Sequence, residues 1–162
     1  VARRFRFPLE TLLKVRRLRE REAKRKVAAQ RAALARLDQL DEATRAEIAS
    51  RQQVLLGVQR QVQLEPQELT RGWAWIGHLR RTIVQRQVQR EEMLGVLEKL
   101  QEVYREARRQ TRVIEKLRER RWQQYVHDRE RREQAAADEL AQQLHSMQPA
   151  TDLLSAGQLS DG

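Results

Sequence analysis

The sequence predicts an all-α fold: a long antiparallel two-helix coiled coil, folded as a single hairpin, with a disordered C-terminal tail. Three observations predict it. Apolar residues recur every three or four positions along two long stretches, the spacing that keeps one narrow stripe of a helix facing a partner. A proline, Pro66, stands between the stretches. The composition is that of long helices: 35% of the 162 residues are charged, 4% are aromatic, and Gly and Pro number 6 and 3. Such a chain has few places to turn and few large apolar residues to fill a globular core.

The elements follow in order. Residues 1–7, with RRFRF at their centre, read as a flexible basic N-terminus. Pro8 can open a helix, because its missing N–H would be unpaired there anyway. The first helix is expected over about 8–62, on a stripe through Leu9, Leu13, Ala23, Val27, Leu34, Leu37, Ile48, Leu55, Val58 and Val62. Gly57 weakens its last turns. The turn is expected at 63–66, since Pro66 disfavours helix for Glu65 and tolerates it afterwards. The second helix is expected over about 67–145, on a stripe through Ile76, Leu79, Ile83, Met93, Leu97, Leu100, Tyr104, Ala107, Ile114 and Tyr125. Residues 146–162 are small and polar and read as a disordered tail.

A short connection between long helices favours an antiparallel hairpin. The two stripes match when Leu55 faces Ile76, Ile48 faces Ile83, Leu37 faces Met93, Leu34 faces Leu97, Val27 faces Tyr104 and Ala23 faces Ala107. This register sets Asp41 opposite Arg90, Thr44 opposite Arg86 and Arg51 opposite Leu79. Asp41 and Arg90 are then either solvated seam residues or a register-setting ion pair. Trp73 and Trp75 cluster just after the turn. Trp73 is expected to cap the core, and Trp75 to be either core or an exposed anchor for a partner. Trp122 and Tyr125 are expected to lie past the paired region.

These features exclude much chemistry. A thin hairpin has no concave dry pocket in which to hold reacting groups, so no enzyme is expected. There is no cysteine, which removes disulfides and thiolate sites. His78, His127 and His145 are far apart and form no metal pair. No Gly-rich phosphate loop is present, and no cofactor is expected. No apolar run approaches the length of a membrane span, and the basic start lacks the apolar run of a secretory signal. The net charge of +10 attracts anionic partners. The cations alternate with Glu, however, as in REARRQTRVIEKLRERR, which reads as a solvated helix face rather than a nucleic-acid groove. A basic nucleic-acid-binding coiled coil and a generic scaffold remain the alternatives.

Three segments carry a resemblance. The opening FRFPLETLLKVRRLREREAKR, the segment WIGHLRRTIVQRQ and the stretch IEKLRERRWQQYVHDRERREQAAADELA resemble, in order and spacing, the FliJ family of the bacterial flagellar type III export apparatus. The resemblance covers about residues 5–141. It implies a central-stalk-like coiled coil in the cytoplasm, associated peripherally with the inner face of the cell membrane at the flagellar base. It implies three partners: the ring of the export ATPase FliI, the cytoplasmic linker of the export gate protein FlhA, and export chaperones. It carries the gate-contacting face onto Trp75, Leu79, Thr82 and Arg86, where Trp replaces a smaller aromatic. By analogy with rotary stalks, the end holding both termini faces the ring, which nominates Arg118, Arg121, Trp122, Tyr125 and Arg129.

Overall fold

The computed structural model describes residues 4–60 and 65–147. Two helices account for nearly all of them: α1, Glu10–Gln59, and α2, Pro66–Met147, of 50 and 82 residues. No strand is present among the described residues. Residues 1–3 of the expected basic N-terminus, 61 and 62 of the expected first helix (Val62 of its stripe included), 63 and 64 of the expected turn, and the tail from residue 148 on lie outside the described residues.

The helix ends follow local chemistry. The Glu10 amide donates to the Phe7 carbonyl at 3.3 Å, closing a turn around Pro8. Glu10 also supplies a negative charge to the first turn of α1, where the helix dipole favours one. Pro66 is the first residue of α2, where its fixed φ suits a helix and its missing N–H is not needed.

The residues fall into two compact units, Leu12–Thr111 and the two ends Val1–Thr11 with Arg112–Gly162. In the first unit α1 and α2 pack antiparallel. Leu13, Ala23, Val27, Leu37 and Leu55 of α1 and Ile76 and Leu79 of α2 are buried. Leu34, Ile48, Ile83, Met93, Leu97, Leu100, Tyr104 and Ala107 are half-buried at the same spacing. From Leu13 to Leu55 on α1 and from Ile76 on α2 the predicted stripes are therefore the seam; Leu9, at 36% exposure, is not part of it. A two-helix seam is thin, and only Leu13 and Ile76 exclude water almost completely. Each contributes about 1.5–3 kcal/mol of hydrophobic stabilisation.

The register differs from the expected one by about a helical turn at Asp41 and Leu55, although the expected neighbours Thr44 and Arg86 do meet. Asp41 does not pair with Arg90. The Arg86 guanidinium reaches it instead: Nη1 donates to Asp41 Oδ1 at 3.2 Å, Thr44 Oγ1 at 2.8 Å and the Leu40 carbonyl at 3.3 Å. Arg90 pairs with Asp38. Leu55 packs on Gly72, where an added Cβ would stand 2.5 Å from Leu55 Cδ2. The reason is geometric. A three-four repeat slipped by one turn again sets seam against seam, so apolar spacing alone cannot choose between the two. The close approach at Gly72 and the polar layer at Asp41 choose. Trp73 does not cap the core. It is 39% exposed, and Ile76 fills the layer instead.

This register is testable in a cysteine-free chain. Leu55→Cys with Gly72→Cys is expected to oxidise readily to a disulfide within one chain. Leu55→Cys with Ile76→Cys, the pairing read from the stripes, is expected to oxidise far more slowly on non-reducing gels. The reverse ranking would restore the one-turn shift.

Candidate partner-binding surfaces

Two clusters gather most of the nominated residues, one in each unit. The first surrounds Trp75. The indole Nε1 donates to Glu47 Oε1 at 3.0 Å. Arg51, one turn further along α1, donates from Nε to the same oxygen at 3.1 Å, and its guanidinium carbon lies 5.5 Å from the indole centroid. His78 lies on the other flank, with ring centroids 5.2 Å apart. The indole N–H, and after it Arg51, lower the Glu47 pKa below the ordinary carboxylate value. Trp75 itself is 41% exposed. It is thus held by a carboxylate and a cation while much of its ring faces outward, in a geometry suited to cation–π attraction.

The other three residues nominated here divide by position. Thr82 sits half-buried two turns on, its hydroxyl donating to the His78 carbonyl at 3.1 Å. Leu79 is buried in the seam. Arg86 is committed to Asp41 and Thr44 inside the hairpin. Sequence reasoning missed Glu47 and Arg51. Arg51 reads only as a seam residue opposite Leu79, and nothing in the spacing singles out Glu47. Only the corrected register brings them beside Trp75.

The second cluster joins the N-terminal residues to α2. The Phe5 ring meets Trp122 edge-on, with centroids 5.1 Å apart and planes at 82°. It lies 5.5 Å from the Tyr125 ring, and Trp122 and Tyr125 stack at 5.6 Å. Phe7 is buried. Arg118 Nε donates to Glu10 Oε2 at 3.1 Å. Trp122 and Tyr125, expected beyond the paired region, are thus met by Phe5 from the segment expected to be flexible. Arg121 is exposed, and Arg129 forms an i,i+4 pair with Glu133 at 3.0 Å. Every residue from His127 to Met147 is exposed.

Both edges of the seam in the Leu12–Thr111 unit carry charge, with Arg19, Lys26 and Glu47 of α1 on the Trp75 edge. Along the seam edge that carries Asp38, the exposed Lys24, Arg31 and Arg45 of α1 follow at heptad spacing, with Arg80 and Arg108 on α2. Along the edge that carries Trp75, the matching α2 positions are Thr82, Gln89, Val96, Val103 and Gln110, none of them charged. An open groove of about 570 Å³ on that edge is lined by Ala23, Val103 and Ala107 among charged residues. No group of three or more potential metal ligands occurs among the described residues. No helix among them is long and apolar enough to cross a membrane.

The chain matches the family described as Flagellar FliJ protein over residues 5–150. It belongs to the FliJ family. The match spans both helices and both clusters, and it makes the chain a component of the flagellar export apparatus. No curated protein and no solved structure matches it.

Proposed function

We propose that this FliJ-family chain works as a central-stalk-like coiled coil of the flagellar export apparatus. It promotes assembly and activity of the FliI ATPase ring and links the ring to the cytoplasmic linker of FlhA and to export chaperones. It acts in the cytoplasm, at the inner face of the cell membrane. The family match over residues 5–150 carries this reading. The physics supports it: exposed, charged helix faces make rim-like contacts that are modest, salt-sensitive and exchangeable, as a stalk serving several ring subunits requires.

In this reading Trp75 and Thr82 meet the gate linker, while Leu79 and Arg86 hold the helix that presents them. Arg118, Arg121, Trp122, Tyr125 and Arg129 serve the ring. The decisive experiment is whether the purified chain co-elutes with the export ATPase and raises its turnover. For the gate, Trp75→Ala is expected to weaken linker binding about tenfold or more, as loss of an aromatic anchor does. Helical content should be unchanged by circular dichroism. A pulldown in which Trp75→Ala binds as well as the native chain would remove Trp75 from that surface. The row of cations along the Asp38 edge favours one second reading, binding of nucleic acid. Retention of nucleic acid on filters at physiological salt, without ATPase stimulation, would select it.

A further inference from the structure

We propose that the stacked pair Trp122–Tyr125 is a docking surface for an apolar side chain of an acidic partner segment, and that the chain's own Phe5 occupies it until the partner arrives. The proposal rests on the reading that this part of α2 serves the ATPase ring, and it adds how access is controlled.

The N-terminal segment is held unevenly. Its root is fixed. Phe7 is only 7% exposed, the Glu10 amide closes a turn on the Phe7 carbonyl, and Glu10 pairs with Arg118. Beyond that root the hold is lighter. Among the described residues, no hydrogen bond or ion pair ties down Arg4, Phe5 or Arg6. Among the described residues, Phe5 meets two rings, Trp122 at 5.1 Å and Tyr125 at 5.5 Å. Aromatic contacts of this kind are individually weak, so the end of the arm can leave while its root stays.

The surface beneath is suited to exchange. Trp122 remains 49% exposed with Phe5 in place, so a partner can touch it before the arm moves. What replaces Phe5 must offer an apolar side chain to the same two rings. Its segment should be acidic. Arg121, one turn from Tyr125, is an exposed cation. Glu119 and Asp128 stand one turn from the rings as well, but residues 112–133 hold eight Lys/Arg against five Asp/Glu and are net basic, and the arm that now covers the site carries Arg4 and Arg6. A basic arm resting beside basic residues is easily displaced by an acidic competitor.

Because one surface cannot hold both occupants, the arm lowers the partner's apparent affinity by the fraction of time the site is open. Removing Phe5 should raise that affinity by roughly three- to tenfold. Two variants test this in the otherwise native full chain. Phe5→Ala is expected to lower, by that factor, the concentration giving half-maximal stimulation of the export ATPase, and Phe5→Leu to do so partly. Independently, acrylamide quenching of Trp122, read in a Trp73→Phe/Trp75→Phe background, should increase on Phe5→Ala.

An unchanged or raised half-maximal concentration in Phe5→Ala overturns the proposal, since Phe5 would then be a bystander or part of the interface. Trp122→Ala separates this failure from that of the parent reading. If Trp122→Ala abolishes stimulation while Phe5→Ala fails to enhance it, the ring contact stands and only the displaceable arm is wrong. If Trp122→Ala leaves stimulation unchanged, the ring contact at these rings is wrong, and the proposal falls with it.

Discussion

Asp41→Ala is expected to destabilise the hairpin by about 2–4 kcal/mol in urea unfolding followed by circular dichroism. The carboxylate is buried, at 4% exposure, and the Arg86 side chain that meets it at 3.2 Å is only 22% exposed. Removing the acid leaves a poorly hydrated guanidinium facing Thr44 and the Leu40 carbonyl alone. Partial access to water keeps the loss toward the lower end of what breaking a buried pair costs. Replacing both partners, Asp41→Leu with Arg86→Leu, is expected to keep stability within about 1 kcal/mol of the native chain, because neither charge is then stranded. What the double variant should lose is register. With the polar layer gone, the Leu55/Ile76 cysteine pair should crosslink alongside the Leu55/Gly72 pair. A double variant that still crosslinks only at Leu55/Gly72 would assign the register to the close approach at Gly72 alone.

That experiment isolates what the sequence left open. The stripes that form the seam are legible because burial follows a period that spacing displays directly: Leu13, Val27, Leu37, Ile76 and Leu79 are all buried where the repeat puts them. Their pairing is not legible in the same way. Slipping an antiparallel pair by one turn preserves the pattern, and the energy that separates the two registers sits in a few layers. Gly72 gives no sign of its role in the stripes. In the structure it is the small residue under Leu55 that lets the helices approach. The candidate surfaces were legible to different degrees. Trp75 and Trp122 stand out as large aromatics in a charged chain. Their partners Glu47, Arg51 and Phe5 do not, because each becomes informative only once another segment lies beside it.

Truncation after Leu117 is expected to abolish stimulation of the export ATPase while sparing binding to the gate linker. The cut removes Arg118, and with it the pair to Glu10, along with Trp122, Tyr125 and the wholly exposed helix from His127 to Met147. It leaves the Leu12–Thr111 unit and its seam intact, including Trp75 with its Glu47 and Arg51 supports. The residues from His127 to Met147 are all exposed, so they contribute no burial to folding and have no packing role to lose. They can still offer charge to a partner, which makes their loss a functional change before it is a structural one. The measurement is ATPase turnover against added chain, with linker binding and helical content recorded on the same preparation. Retained stimulation would mean that the ring grips another part of the chain and that the assignment of the two surfaces must be exchanged. Loss of both activities with the helical signal per residue preserved would mean that gate and ring share the C-terminal residues, and Trp75→Ala should then leave linker binding untouched.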